Sequence, residues 1–241
     1  MDPVVKIFGN IDELAYYFAV KLESLVQANS ERKTFSIALS GGSTPKKIFE
    51  YIASRFSDRL DWNKLLVFWG DERSVPPDSE ESNFRMASES LLDRVPIPGS
   101  NIFRIRGEAD PESEARRYSE LVMSKVPMVD DIPQFDMVML GMGDDGHTAS
   151  IFPGSMHLFN SDKLFEVAVN PYSGQQRITA TGKLINHARV VVFLVTGHLK
   201  AEVLSRVIER REGWEKVPAS AVQPLHGELI WLLDKAAAGN L

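Results

Sequence analysis

An α/β sandwich around a mainly parallel sheet is the fold class this sequence predicts, and three observations predict it. Short runs rich in Val, Ile, Leu and Phe recur along the chain, helical patterns separate them, and the alternation continues through the whole length. Several runs are apolar at every position, the signature of a strand covered on both faces. In such a fold, ligands sit at the carboxyl ends of the strands.

The elements follow in order. "VVKIF" (4–8) predicts the first strand, and a helical pattern follows over about 11–28. "FSIAL" (35–39) is the second strand, leading through "SGGSTP" into a helix over about 45–57. There Gly41 and Gly42 permit a tight turn, Ser43 or Thr44 can cap the helix, and Pro45 suits its first position. "LLVFW" (65–69) is the third strand, with "GDERSVPP" as the loop after it, and helices are expected at about 81–93 and 111–125. The proline-bounded stretches "VPIPGS" and "VPMVDDIP" read as loops. "FDMVML" (135–140), "LFEVAVN" and "VVVFLV" (190–195) supply further strands, and a helix is expected at about 199–210. No internal repeat or low-complexity tract interrupts the pattern, so residues 1–241 read as one domain.

Composition narrows the function. The 241 residues are 44% hydrophobic and 25% charged, enough for a sizeable core. Cysteine is absent, which excludes disulfides, thiolate nucleophiles and Cys-based zinc sites and suits a reducing compartment. No run approaches a membrane span, and the N-terminus carries acidic residues where a signal peptide would be basic. A soluble, cytoplasmic protein is expected, with no membrane partner. The net charge of -6 argues against nucleic acid, which needs a basic face. Basic residues serving an anionic ligand must therefore be local.

Strand ends carry the chemistry. The Gly41–Thr44 turn builds a helix N-terminus whose free N–H groups, dipole and hydroxyls favour a phosphate. Walker spacing is absent, so no nucleotide γ-phosphate is implied. In "GDERSVPP", Arg73 can bind an oxyanion through its planar fork and Asp71 can accept sugar hydroxyls. "GMGDDG" (141–146) satisfies G-x-G-x-x-G after a strand, but Asp144 and Asp145 put negative charge where a pyrophosphate would lie, and no acidic residue ends the next strand. A dinucleotide reading is rejected. The glycines instead allow close backbone approach and hold His147 beside Asp145, a carboxylate that can fix the imidazole for proton transfer. Two ligands without a third make a metal site thin. His157, His187, His198 and His226 have no comparable setting and read as structural. Arg177 and Lys200 lie near element ends and would complete a phosphate clamp with the glycine turn.

Five motifs, "SGGSTP", "GDERSVP" with "SN" after it, "GMGDDGHTASIFPG", "RITAT" and "GHLKA", occur in the order and spacing of the 6-phosphogluconolactonase family, which the chain resembles over nearly its whole length. The resemblance implies a three-layer αβα sandwich, Rossmann-like, shared with glucosamine-6-phosphate isomerase/deaminase. It implies hydrolysis of 6-phospho-D-glucono-1,5-lactone to 6-phosphogluconate in the oxidative pentose phosphate pathway, with no cofactor and no metal, by a monomer or weak homodimer. It gives His147 as the base activating water, Asp145 as its supporting carboxylate and Arg73 as an electrostatic partner. Gly41, Gly42, Ser43, Thr44, Arg177 and Lys200 would hold the phosphate end, and Asp71 would contact the sugar. The alternative is the deaminase sister family, whose Asn-Glu-Pro segment places a glutamate where this chain has Phe152. A non-catalytic sugar-phosphate sensor is a third reading, but the first 35 residues hold too little for a helix-turn-helix module.

Overall fold

The computed structural model describes residues 3–28 and 33–241, so the first two residues of the stretch read for a targeting signal lie outside it. The chain runs β1 (Val4–Phe8), α1 (Ile11–Ala28), β2 (Phe35–Leu39), α2 (Ser43–Arg55), β3 (Leu65–Trp69) and β4 (Asp71–Arg73). It continues through α3 (Asn83–Ser90), α4 (Pro111–Lys125), β5 (Met128–Val129), β6 (Ile132–Pro133) and β7 (Met137–Leu140). The last elements are β8 (Phe165–Val169), β9 (Gln176–Ala180), α5 (Gly182–Ile185), β10 (Val190–Val195), α6 (Ala201–Ile208) and β11 (Glu228–Asp234).

Six strands form one fully parallel sheet in the order β1-β11-β10-β7-β2-β3. Every residue of β2, β7 and β10 is buried. Successive side chains alternate between the faces of a strand, so total burial requires cover on both, as the all-apolar runs predict. Helix α1 provides part of that cover because Leu14, Phe18, Leu22 and Val26 recur at four-residue spacing and are buried. Each such side chain contributes about 1.5–3 kcal/mol by leaving water. α1 packs against α2, and α2 against α3.

The order of the strands opens a crevice. From β2 the chain moves outward to β3 at one edge, whereas β7, beside β2, is followed by β10 and β11 in the other direction. The loops leaving β2 and β7 therefore part, the geometry that creates ligand sites in open α/β sheets. Their register is held from below by Asp136, whose Oδ2 accepts from the Ser36 N–H (2.9 Å) and hydroxyl (3.1 Å), while Ser36 Oγ accepts from the Asp136 N–H (3.1 Å).

A second, antiparallel sheet of order β4-β9-β8 stands beside the crevice. "GDER" is thus not a solvated loop: Asp71 and Glu72 are buried, and the segment is a strand. Gly70 makes the transfer, its N–H still bonded to Leu39 O (2.9 Å) while its carbonyl accepts from Ala180 N–H (2.7 Å). β9 and β11 are strands the sequence reading did not assign, the expected loop "VPMVDDIP" folds into the antiparallel pair β5 and β6, and three expected helices differ at their ends. The helix expected from 45 begins at Ser43, so Pro45 is its third residue rather than its first. That expected at 81–93 starts at Asn83 because Ser82 caps it, accepting from Arg85 N–H (3.2 Å), and it ends at Ser90 ahead of a 3₁₀ turn. That expected at 199–210 contracts to Ala201–Ile208 behind a 3₁₀ turn.

Candidate active site

A cleft of about 230 Å³ lies at the carboxyl ends of β2, β3, β7 and β10. Gly41, Gly42, Ser43, Thr44, Asp71, Arg73, His147, Arg177 and Lys200 all line it; Asp145 stands behind His147. His157, His187, His198 and His226 do not line it.

On the β2 side, Gly42 takes a φ of 110° as the residue before α2. Neither Ser43 nor Thr44 caps the helix: the N-cap is Gly42, with no side-chain cap bond, and Thr44 Oγ1 is instead 2.6 Å from Thr196 Oγ1. No side chain therefore competes for the first N–H groups of α2, which stay free for an anion. Gly41 is required for a different reason. A Cβ there would stand 1.9 Å from Asn83 Oδ1, and Asn83 is fixed by donating to Asp71 O (3.0 Å). Asn83 also lines the cleft; the sequence showed it only as the "N" of an unassigned "SN".

The β7 side holds the Asp145–His147 pair. Asp145 Oδ1 accepts from the His147 N–H at 3.0 Å and lies 2.6 Å from His147 Nδ1. With Nδ1–H given to the carboxylate, Nε2 keeps its lone pair, the tautomer a base needs. Gly143 makes room: a Cβ there would fall 2.1 Å from His147 Nδ1. Phe152 packs its ring 4.6 Å from the imidazole. On the other carboxylate oxygen, Tyr172 donates to Asp145 Oδ2 at 2.8 Å. Burial by itself would raise the Asp145 carboxyl, but the His147 N–H, the Tyr172 hydroxyl and the imidazole outweigh it and hold the group below its ordinary value. No helix follows Gly146, so the G-x-G-x-x-G match lacks the N-terminal dipole of a dinucleotide site.

Arg73 and Arg177 close the third side as cross-strand partners on β4 and β9. Both Nε atoms are buried without a partner among the described residues. Burial first, and the like charge of Arg73 second, hold the Arg177 guanidinium below its ordinary value. Two crowded, under-satisfied cations are relieved by an anion placed between their donors and the α2 N-terminus. Their platform depends on Glu72, a buried carboxylate that accepts from the N–H groups of Arg73, Asn83 and Phe84 (2.8 Å each) and from Ser82 Oγ (3.1 Å). Burial, only partly offset by those three N–H groups, raises its carboxyl. Asp71 accepts from Ser150 Oγ (2.7 Å), which leaves its carboxylate on the cleft wall in a fixed orientation.

Lys200 reaches the cleft from the end of β10 and is paired with Asp144. Its approach is set by Gly197 at φ 95°, whose N–H bonds both oxygens of Asp234 at 3.1 Å. Asp234 ends β11, and no local motif marks it. Among the described residues, no group of three or more His, Asp or Glu could hold a metal ion, and no helix is long and apolar enough to cross a membrane.

Residues 10–231 match the family model described as glucosamine-6-phosphate isomerases/6-phosphogluconolactonase. A 6-phosphogluconolactonase of Synechocystis is 45% identical over 219 residues, covering 90% of this chain and 89% of that one. The solved 6-phosphogluconolactonase of Trypanosoma brucei superposes with a TM-score of 0.89 at 32% identity, covering 100% of this chain and 99% of the other. A monomeric glucosamine-6-phosphate deaminase superposes at a TM-score of 0.83 with 23% identity, covering 99% of this chain and 100% of the other, a likeness of fold alone.

Proposed function

The chain belongs to the glucosamine-6-phosphate isomerase/6-phosphogluconolactonase family, and from that premise we propose that it hydrolyses 6-phospho-D-glucono-1,5-lactone to 6-phospho-D-gluconate, a step of the oxidative pentose phosphate pathway. The observation that carries the reading is the Nδ1 bond from His147 to Asp145, which leaves Nε2 as the free base in a cleft framed by Arg73, Arg177, Lys200 and the start of α2.

The phosphate binds at Gly42, Ser43 and Thr44, with Arg177 and Lys200 as counter-charges. His147 Nε2 removes a proton as water attacks the C1 carbonyl, and Asp145 stabilises the imidazolium. Arg73 stabilises the oxyanion that forms on the carbonyl oxygen. The tetrahedral intermediate collapses by breaking the bond from C1 to the ring oxygen, which takes the proton back from His147 and leaves as an alcohol. Asp71 orients the sugar hydroxyls.

Phe152 favours this reaction over the sister chemistry. It is buried against the imidazole, and an apolar ring there can neither relay a proton nor stabilise an opened amino sugar. The test measures lactone consumption above spontaneous hydrolysis beside ammonia release from glucosamine 6-phosphate. Lactone hydrolysis that falls roughly 10²- to 10⁴-fold in His147→Ala, without ammonia release, is expected. Ammonia release at a rate comparable to lactone hydrolysis would assign the protein to the deaminases.

A further inference from the structure

Tyr172 presents an unusual combination. The residue is 74% exposed, yet its hydroxyl donates to the inner carboxylate of the proton-transfer pair. We propose that Tyr172 is a positioning residue that completes a Tyr172–Asp145–His147 relay and sets both the orientation and the basicity of His147. The proposal rests on the reading of His147 as the base.

The turn between β8 and β9 is built to present this side chain. Asn170 Oδ1 accepts from the N–H groups of Tyr172 (2.9 Å) and Ser173 (3.3 Å). Asn170 O accepts from Gly174 N–H (2.8 Å), and Gly174 adopts a φ of 71° to close the turn. The phenol ring then rests edge-on against Phe152, with centroids 6.5 Å apart and an interplanar angle of 80°. Phe152 carries the His147 imidazole 4.6 Å away. Tyr172 is therefore held from two sides before its hydroxyl reaches Asp145.

The consequence follows from how a carboxylate is fixed. Oδ1 of Asp145 receives both the N–H and the Nδ1 of His147, while Oδ2 receives the Tyr172 hydroxyl. The terminal torsion of an aspartate is broad and two-fold, so a bond on one oxygen leaves the plane free to turn. A donor on Oδ2 removes that freedom and keeps Oδ1 aligned with the imidazole. The same donation draws charge from the carboxylate and so weakens its attraction for a positively charged imidazole. The bond to Asp145 raises the phenol above its ordinary value, so the hydroxyl is a donor at neutral pH. The turn that holds Tyr172 leads into β9, the strand that carries Arg177. The other charges around the pair are Asp144 with its partner Lys200, Arg177 over the Phe152 face, and Asp71 and Arg73 on the wall of the same cleft. None is altered by the test.

Tyr172→Phe keeps the ring contact and removes only the hydroxyl. The expected result is a fall in kcat of roughly 3- to 10-fold with KM nearly unchanged, and an acid limb of the kcat/KM profile moved up by about half a pH unit. Tyr172→Ala should lose at least as much kcat with the same upward shift. Imidazole titration of His147 followed by ¹⁵N NMR in the free protein should move upward in the Phe variant. A Phe variant with the kcat, acid limb and His147 titration of the unmodified protein overturns the proposal. If the unmodified protein fails to hydrolyse the lactone, the proposed function falls, and the NMR titration alone still decides whether Tyr172 tunes His147.

Discussion

Gly143→Ala isolates the placement of the base from its identity. The added Cβ would lie 2.1 Å from His147 Nδ1, 2.3 Å from its Cε1 and 2.7 Å from Asp145 Oδ1. Ordinary contact begins at 3.4 Å, so the imidazole must retreat by about 1.3 Å, the difference between 3.4 and 2.1. Gly143 is not among the glycines at positive φ, so its backbone tolerates alanine. Its bonds to His147 O (2.8 Å) and from Gly146 N–H (3.0 Å) involve main chain alone and survive the change. The perturbation therefore falls on the Asp145–His147 pair rather than on the fold. A displacement of about 1 Å at a reacting group costs on the order of 10²-fold, and complete loss of a general base roughly 10²- to 10⁴-fold. We expect kcat for lactone hydrolysis to fall by about 10²- to 10³-fold while Tm stays within a few degrees of the unmodified protein. Gly99→Ala, where nothing lies within 4 Å of the new Cβ, serves as the control and should be silent. A Gly143→Ala protein with kcat within about threefold of the unmodified enzyme would refute the assignment of His147.

Arg177→Ala should mainly raise KM for the phosphorylated lactone, by the roughly 1.5–3 kcal/mol of a charge-assisted contact, and leave hydrolysis of unphosphorylated gluconolactone little changed; equal loss on both substrates would remove Arg177 from the phosphate site. The Asp145 carboxyl is held below its ordinary value, so its ionised form contributes stability above the unfolded carboxyl range near pH 3.9 and loses it as pH falls through the lower folded value. Acidification from neutrality should accordingly give a one-proton limb in kcat/KM, and a limb of slope two would show Asp145 titrating with the base. Glu72→Ala strands three backbone N–H groups and a hydroxyl, which at about 1–3 kcal/mol for each buried group should lower stability by more than 3 kcal/mol in urea titration; a loss below 1 kcal/mol would mean water replaces the carboxylate. Glu72 itself, raised by burial, opposes the Asp145 trend, because its contribution is fully present below the unfolded value and lost as pH rises through the folded one.

The parallel sheet was legible because buried strands write themselves as unbroken apolar runs, and β2, β3 and β10 match the predicted spans end to end. β9 was not legible in that way. It opens with Gln176 and Arg177, polar residues that become a strand only by pairing with β4 and β8, and such pairing is non-local. The same difficulty hid Glu72 and Asp234. Each carboxylate has one donor close in sequence, Arg73 N–H for Glu72 and Ala237 N–H for Asp234, but the donors that join separate elements lie ten to twelve residues away in one case and thirty-seven in the other. His147 and Asp145 were legible because the carboxylate, the imidazole and the glycine that clears space for them lie within five residues of one another. Tyr172 was visible as a letter, but its partner lies twenty-seven residues back and only the hairpin joins them.

The crowding of chemistry onto the single loop after β7 has a topological cause. β7 lies between β2 and β10 in the sheet, so its carboxyl end faces the start of α2 on one side and the approach of Lys200 on the other. Asp71 and Arg73, beyond β3, enter the same cleft only because Gly70 turns the chain out of the main sheet into the second one. A base on the β3 side would have to share the Arg73–Arg177 platform, where two cations already crowd each other and would oppose a third positive charge on the imidazole. At the end of β7 the imidazole has Asp145 beside it and packs on Phe152, and the Arg177 guanidinium also lies over that ring, 5.6 Å from its centroid. That apolar ring touches both the group assigned as base and the guanidinium assigned to the anion, and adds no charge of its own to either.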